Sequence, residues 1–302
     1  MKIVGGTANE PLTQKIADKL GLGVSDREIF IFPDGERRVR VLGNFVGEST
    51  VVVEPTAPPA DTNYMELFFL VDALKRSGAE FVTAVVPYLG YQRQDHIFRE
   101  GEAVSLEVIV KTLESVGMDR IISVDLHTPK IPDVFSIPMT HLSALPLFAR
   151  KIKELGGFEH SVLVSPDMGG IRRIKMLSEM LNGMPYVAIE KNRDLSTGIV
   201  TAHKFGEGSI NGAKRAFIVD DMVASGKTIV TAAHVLLNAG VEEMYVFATH
   251  AIFAKEAPEI LETSVAKKLF VTDSVYIPQD KVFPKLELIS IAGIIAEAIK
   301  NK

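Results

Sequence analysis

The most informative stretch of the chain is Phe217-Ile218-Val219-Asp220-Asp221-Met222-Val223-Ala224-Ser225-Gly226-Lys227-Thr228. An apolar run ends in two adjacent aspartates, passes through a loop of small residues, and continues as an amphipathic stretch from about Thr228. This order predicts a buried strand, a glycine turn and a helix. The N-terminus of such a helix suits a phosphate, and the two carboxylates suit sugar hydroxyls. The stretch therefore predicts a site for a pentose phosphate.

Two other interpretations of this stretch compete with that one. The ending Gly226-Lys227-Thr228 matches the end of a nucleotide-binding P-loop, but that motif needs a glycine where Asp221 stands, so it is excluded. The second alternative is a plain helix cap with incidental acids, and the residues of this stretch alone leave it open.

The same order of strand, turn and helix recurs along the whole chain. Apolar, β-branched runs separated by helical patterns predict parallel sheets covered by helices on both faces, which is an α/β, doubly wound fold. Strands are predicted at 50–53, 81–86, 121–126, 161–164, 186–189, 216–219, 244–249, 269–271 and 286–291, and helices at 64–77, 106–116, 172–181 and 229–239.

Length and composition limit the domain organisation and the function. The 302 residues suffice for two domains, predicted at 1–143 and 144–281, with a segment 282–302 that packs back on the first. The chain has no cysteine, which excludes disulfides and thiolate chemistry and fits a cytoplasmic protein. The net charge of -5, without a basic tract, argues against nucleic acid. The absence of a long apolar run argues against a membrane span or signal peptide.

Polar turns follow four of the predicted strands, at 87–95, 125–127, 165–170 and 220–222. Ligands of doubly wound folds bind beyond the carboxyl ends of the strands, so these turns are candidate binding segments. Arg93 suits a phosphate, and the two glycines in 167–170 allow a close approach of an anion to the backbone. Taken singly, each segment also fits an ordinary turn, a surface arginine or a structural histidine.

Several motifs together resemble one enzyme family. The stretch containing Asp220 and Asp221 resembles the ribose-phosphate loop of phosphoribosyltransferases. Further segments narrow the resemblance to the ribose-phosphate pyrophosphokinases, in that family's order: Phe32-Pro33-Asp34-Gly35-Glu36, Tyr91-Gln92-Arg93-Gln94-Asp95, Asp125-Leu126-His127, Asp167-Met168-Gly169-Gly170 and Lys191-Asn192-Arg193. The segment Phe98-Arg99-Glu100-Gly101-Glu102 resembles archaeal-type members.

The resemblance implies two phosphoribosyltransferase-like domains and transfer of the pyrophosphoryl group of Mg-ATP to carbon 1 of ribose 5-phosphate. It assigns ATP binding to Phe32, Asp34, Gly35, Glu36, Arg93, Gln94 and Asp95, and catalysis to Lys191 and Arg193. It assigns ribose 5-phosphate to Arg193, Asp220, Asp221, Ala224, Ser225, Gly226, Lys227 and Thr228, and pyrophosphate to Asp167, Met168, Gly169 and Gly170. It assigns Mg²⁺ to His127 and Asp167. It also implies a homo-oligomer with the adenine pocket near a subunit interface.

Two residues depart from the family's bacterial pattern. Ala224 stands where an acid is usual, and Lys227 stands where glycine is usual. Lys227 adds positive charge beside the expected 5-phosphate, so the affinity for the sugar phosphate is expected to differ. Two alternative functions are a phosphoribosyltransferase that uses a nucleobase, which would leave Arg93, Gln94 and the first domain without a role, and a non-catalytic regulatory relative.

Overall fold

The computed structural model describes residues 1–156, 158–193, 200–210 and 212–301, with only the backbone at 191–193 and 200–204. The helices are α1 (Glu10–Leu20), α2 (Ala60–Arg76), α3 (Ser105–Ser115), α4 (Leu145–Leu155), α5 (Ile171–Met180), α6 (Lys227–Asn238), α7 (Ala257–Glu262) and α8 (Ala292–Lys300). The strands are β1 (Lys2–Gly5), β2 (Arg27–Ile31), β3 (Arg37–Val41), β4 (Ser49–Val53), β5 (Phe81–Val85), β6 (Arg120–Val124), β7 (Met139–Leu142), β8 (Ser161–Ser165), β9 (Tyr186–Arg193), β10 (Val200–Gly208), β11 (Arg215–Val223), β12 (Glu243–Ala251), β13 (Lys268–Thr272) and β14 (Leu286–Ile289).

The chain forms two compact units. Unit 1 contains Met1–Leu142, Ser274–Tyr276 and Ser290–Lys302, and unit 2 contains Ser143–Asp273 and Ile277–Ile289. Unit 2 therefore takes β14 from the region 282–302, and the closing segment of unit 1 begins at Ser290 rather than at Val282.

The sheet of unit 1 has the strand order β1-β4-β5-β6-β7, with every pair parallel. Ile3 of β1 pairs with Val51 on one side and forms a parallel bridge with Val24 on the other. After β1 the chain passes through α1 to Val24 on one side of β1, whereas the later strands, beginning with β4, lie on its other side. Such a reversal is a topological switch point, where doubly wound folds form a crevice.

Alternation along the strands of unit 1 divides the buried residues between the two faces of the sheet. Val4, Val52 and Ile121 pack with apolar residues of α2 and α3 in one core cluster. Helices α1 and α8 pack against each other, and they contact β1 and β7 respectively. The β2–β3 hairpin is a separate two-stranded antiparallel sheet that packs on α2.

The sheet of unit 2 has the order β10-β9-β8-β11-β12-β13-β14. The order reverses between β8 and β11, so the switch point of this unit lies between the carboxyl ends of those two strands. Five of the strand pairs are parallel, whereas β10 is antiparallel to β9. Pairing with β10 extends β9 to Arg193, beyond the predicted end at 189.

The α/β fold with parallel sheets is confirmed, with some differences in the bounds of the elements. Strand β11 runs to Val223, so both aspartates of the key stretch lie inside the strand. Strand β6 ends at Val124 because Asp125 turns the chain with a φ of 39°. Helix α6 begins at Lys227 rather than at Thr228. Within the described part of the chain, no helix is long and apolar enough to cross a membrane.

Candidate active site

The two aspartates of β11 lie at the switch point of unit 2, beside an arginine that the sequence did not single out for them. Arg173 of α5 places one guanidinium nitrogen 3.5 Å from Asp220 Oδ1 and the other 3.7 Å from Asp221 Oδ1. The side chains of Arg173 and Asp220 are each 17% exposed, and that of Asp221 is 8% exposed. A cation therefore partly neutralises two carboxylates in a crevice that still reaches solvent.

The pKa of the Asp220 carboxyl lies well above its ordinary value. Burial is the main cause, and the charge of Asp221 and a hydrogen bond with it add to the effect, while Arg173 opposes it. A proton therefore sits on the aspartate pair more readily than on an exposed carboxylate.

A compact loop joins β11 to α6. Gly226 takes the left-handed conformation with a φ of 75°, and a Cβ at this position would lie 3.0 Å from Leu261 of α7. The backbone N–H of Ala254 donates to the carbonyl of Ala224 at 2.8 Å, which attaches the loop to the segment between β12 and α7. Ser225 and Lys227 are exposed at the N-terminus of α6. This geometry leaves the first turn of a twelve-residue helix available for an anion.

The glycine turn after β8 is stabilised by its own side chains. Asp167 caps the turn by accepting the Gly169 N–H at 3.0 Å, and Ser165 Oγ donates to the Asp167 carbonyl at 2.6 Å. A Cβ on Gly170 would lie 2.4 Å from Ser165 Oγ and 3.2 Å from the Arg173 guanidinium. A side chain at this position would therefore displace Ser165 or Arg173, so packing favours glycine here. The approach of an anion to this turn stays a prediction.

In unit 1, the turn after β5 carries Arg93 and Gln94 as exposed side chains on a rigid base. The N–H of Gly90 donates to Thr56 Oγ1 at 2.8 Å, and Tyr64 Oη donates to the Gly90 carbonyl at 2.8 Å. A Cβ on Gly90 would lie 2.6 Å from the Thr56 carbonyl oxygen. The path of the chain toward Arg93 is thus set by contacts with the segment after β4 and with α2.

Hydrogen bonds join the turns after β5 and β6. The buried Gln92 accepts the backbone N–H of His127 at 2.8 Å, and Thr128 Oγ1 donates to Asp95 Oδ2 at 3.2 Å. His96 Nδ1 lies 2.6 Å from the other oxygen of Asp95. Partial burial acts to raise the pKa of Asp95, but the hydrogen bonds from His96 and Thr128 outweigh it, so this pKa is lowered. Asp95 is therefore an ionised carboxylate that links two candidate segments.

The segment Phe32–Glu36 forms the turn of the β2–β3 hairpin. The N–H of Gly35 donates to the Phe32 carbonyl at 2.9 Å, and Phe32 and Glu36 close the loop with a 2.8 Å hydrogen bond. The rings of Phe30 and Phe32 lie edge to face at 4.9 Å, and both are largely exposed. The hairpin therefore presents an aromatic surface next to the carboxylates of Asp34 and Glu36.

Two of the expected catalytic residues have only their backbones described. Lys191 and Arg193 lie at the end of β9, where Lys191 pairs with His203 and Arg193 pairs with Val200 of β10. The residues 194–199, which follow them, lie outside the described part of the chain.

The expected magnesium ligands lie in different units, with His127 exposed in unit 1 and Asp167 partly exposed in unit 2. Within the described residues, no group of three or more His, Asp or Glu side chains could hold a metal ion. Of these two residues, Asp167 offers the carboxylate oxygens that Mg²⁺ prefers, and Mg²⁺ usually completes its coordination with waters and substrate phosphates rather than with a protein cage.

Sequence reasoning did not identify Arg173 as a partner of the aspartates, nor Thr56 and Tyr64 as supports of the Arg93 turn. No local signal could have found them, because each contact joins segments that are distant in the chain. Lys175, on the same helix as Arg173, forms an ion pair with Glu207 at 2.5 Å.

Comparisons with known proteins identify the family to which the chain is similar. The family description "N-terminal domain of ribose phosphate pyrophosphokinase" matches residues 1–117, and "Phosphoribosyl synthetase-associated domain" matches residues 207–302. The ribose-phosphate pyrophosphokinase of Fusobacterium nucleatum is 37% identical over 300 residues, covering 99% of this chain and 94% of that protein. The one from Aquifex aeolicus is 38% identical over 301 residues, covering 100% and 95%. The crystal structure of phosphoribosylpyrophosphate synthetase from Mycobacterium smegmatis superposes with a TM-score of 0.91 at 31% identity, covering 99% of this chain and 97% of that one.

The fold and the site define an α/β protein of the doubly wound enzyme class, with polar, glycine-bearing turns at the carboxyl ends of its parallel strands. The full-length matches are more specific. The chain belongs to the ribose-phosphate pyrophosphokinase family, and the resemblance drawn from its motifs is confirmed.

Proposed function

We propose that the chain transfers the pyrophosphoryl group of Mg-ATP to the C1 hydroxyl of ribose 5-phosphate, giving 5-phosphoribosyl 1-pyrophosphate and AMP. The O1 oxygen forms a bond to the β-phosphorus, the bond between this phosphorus and the oxygen of the α-phosphate breaks, and the O1 proton passes to solvent. The observation that carries the proposal is the match to ribose-phosphate pyrophosphokinases over the whole chain.

The sugar phosphate is assigned to unit 2, corresponding to the predicted domain 144–281. The loop before α6 and the start of that helix, from Ala224 to Thr228, would hold the 5-phosphate, and Lys227 would add a positive charge there. Asp220 and Asp221 would accept hydrogen bonds from the ring hydroxyls, as their position at the switch point supports. Arg193 would also contact the sugar phosphate.

ATP is assigned to unit 1, corresponding to the predicted domain 1–143. Arg93, Gln94 and Asp95 would bind the nucleotide from the rigid turn after β5. The hairpin segment with Phe32, Asp34, Gly35 and Glu36 would contact the adenine. The exposure of Phe30 and Phe32 supports a homo-oligomer in which this pocket lies near a subunit interface.

The transferred group would lie against the turn Asp167-Met168-Gly169-Gly170, with Lys191 and Arg193 neutralising the charge that develops on it. His127 and Asp167 would hold Mg²⁺ together with the phosphates, and the metal would supply further charge neutralisation there. No described side chain is assigned as a general base, because positioning and charge stabilisation are the main resources in phosphoryl transfer. The enzyme would act in the cytoplasm.

The decisive experiment measures AMP release from Mg-ATP with and without ribose 5-phosphate, for the unaltered chain and for Lys191→Ala. Lys153→Ala, an exposed lysine on α4, is the matched control. Sugar-dependent AMP formation that is lost only in Lys191→Ala would support the proposal. Release of ADP would indicate transfer of the γ-phosphoryl group instead.

The same experiment tests the alternatives. Turnover of 5-phosphoribosyl 1-pyrophosphate with a nucleobase, without a need for ATP, would indicate a phosphoribosyltransferase. A folded chain that binds ribose 5-phosphate but never releases AMP would indicate a regulatory relative, with Ala224 and Lys227 as the first residues to revert.

A further inference from the structure

The switch-point crevice of unit 1 is filled by the protein's own carboxylates. Glu54 directly follows β4 and Glu66 lies on α2, and both are fully buried. The N–H and hydroxyl of Thr7 donate to Glu66 at 2.5 and 2.9 Å, and the Ala8 N–H donates to Glu54 at 3.2 Å. A Cβ on Gly6 would lie 2.1 Å from a Glu54 oxygen. The turn after β1, a position where such folds often bind an anion, is therefore closed to ligands.

One arginine connects this closed crevice to the hairpin. Arg37 Nη1 lies 2.9 Å from Glu66 Oε2, and the two side chains are 19% and 0% exposed. Arg37 is the first residue of β3 and directly follows Glu36 of the proposed adenine segment. Burial raises the pKa of the Glu54 carboxyl well above its ordinary value, and the charge of Glu66 adds to this. Arg37 contacts Glu66 directly, so it is the ion-pair partner of this buried carboxylate.

Because Arg37 lies at the turn end of the hairpin, its ion pair with Glu66 attaches that end to α2. At the base of the hairpin, Arg27 pairs in register with Val41, donates to the Gly6 carbonyl at 3.1 Å, and forms an ion pair with Glu10. Arg37 lies at the other end, opposite Ile31 and next to the turn. The two arginines thus anchor the two ends of the hairpin to the body of unit 1.

Packing of the hairpin on α2 is incomplete next to the turn. A cavity of about 560 Å³ lies between the turn and α2, lined by Gly35, Glu36, Arg37, Asp61, Thr62, Met65 and Phe69. The hydrogen bonds inside the turn fix its shape but not its position relative to α2. Arg37 reaches Glu66 past this cavity, so the ion pair opposes rigid movement of the turn.

We propose that Arg37 is a positioning residue for the ATP site, because its ion pair with the buried Glu66 holds the hairpin turn Phe32–Glu36 in the geometry that binds adenine. This inference rests on the proposed function and adds a residue that the sequence motifs do not include.

The test compares steady-state constants for AMP release in Arg37→Met, in the double variant Arg37→Met/Glu66→Gln, and in Arg40→Met. Arg40 lies on the same hairpin, but its pair with Glu28 is exposed, at 3.3 Å with side chains 68% and 55% exposed. We expect the KM for ATP to rise about tenfold in Arg37→Met, with kcat and the KM for ribose 5-phosphate unchanged. Arg40→Met should match the unaltered chain.

The double variant separates positioning from stability. Removing Arg37 alone leaves a buried carboxylate without its cation, and Glu66→Gln removes that charge. Thermal unfolding should therefore recover in the double variant, while the KM for ATP stays raised because the hairpin is still not anchored. If the KM returns to the parental value together with stability, the effect was structural and the inference is overturned.

Failure of the proposed function gives a different result. If the unaltered chain releases no AMP, that function fails, and calorimetric titration with ATP tests Arg37 without turnover. Weaker ATP binding in both Arg37 variants than in the unaltered chain and Arg40→Met would support the inference. Equal binding in all of them would refute it.

Discussion

The replacement Gly90→Ala tests how the turn that carries Arg93 and Gln94 is built. The added methyl group would lie 2.6 Å from the Thr56 carbonyl oxygen and 3.0 Å from the Tyr64 ring. Neither neighbour can retreat easily. The Thr56 backbone N–H is tied to the Tyr88 carbonyl at 2.9 Å, and Tyr64 is buried and hydrogen-bonded to Gly90 itself. The turn must therefore move away from α2.

Overpacking of this kind in a dense interior costs about 1–3 kcal/mol. If the shift also breaks the Tyr64–Gly90 hydrogen bond, a buried donor and acceptor lose their partners, which adds roughly 1–3 kcal/mol. With both effects, the expected loss in the free energy of unfolding is about 2–6 kcal/mol. Because Arg93 lies three residues further on, the KM for ATP should rise more than the KM for ribose 5-phosphate.

Urea unfolding followed by circular dichroism measures the first effect, and AMP release at varied ATP measures the second. Gly23→Ala is the matched control, because a methyl group added at Gly23 would meet no neighbouring atom within 4 Å. This control should keep the parental stability or gain about 0.4–1 kcal/mol through the unfolded state. Parental stability and a parental KM for ATP in Gly90→Ala would refute the view that Thr56 and Tyr64 set the path of this turn.

Three further predictions concern buried polar groups. Asp220→Asn should be more stable than the unaltered chain, and the difference should be larger at about pH 8 than at about pH 5. The reason is that the raised pKa of Asp220 lowers the stability of the unaltered protein as the pH rises above the ordinary pKa of the carboxyl. Urea midpoints at both pH values measure this difference, and AMP release should be lost in the variant. Glu54→Gln should show the same direction of pH dependence with full activity, since Glu54 lies outside the proposed site; a loss of activity would contradict this. Tyr64→Phe should lower the free energy of unfolding by about 1–3 kcal/mol, because the Gly90 carbonyl loses its 2.8 Å donor; an unchanged urea midpoint would contradict it.

The helices and strands that the sequence pattern predicted correctly are those that depend on local chemistry. Continuous apolar runs such as Ala216–Val219 and the turn at Gly226 identify strand, turn and helix without knowledge of their neighbours. Strand β10 was not predicted, because its nine residues include polar and glycine positions. Its strand form depends on antiparallel pairing with β9, which is a tertiary contact.

The sequence by itself determined the α/β class and the residue types that follow each strand, since both arise from short-range patterns of apolar, charged and glycine residues. The tertiary structure decided which of these residues meet. Strand order brings Arg173 to Asp220 and Asp221. Packing of the β2–β3 hairpin on α2 brings Arg37 to Glu66. Such pairings depend on crossovers between distant segments, and burial in those places raises the pKa of the Asp220 and Glu54 carboxyls. No local pattern carries that information, because the cost of burying a charge is set by the atoms packed around it.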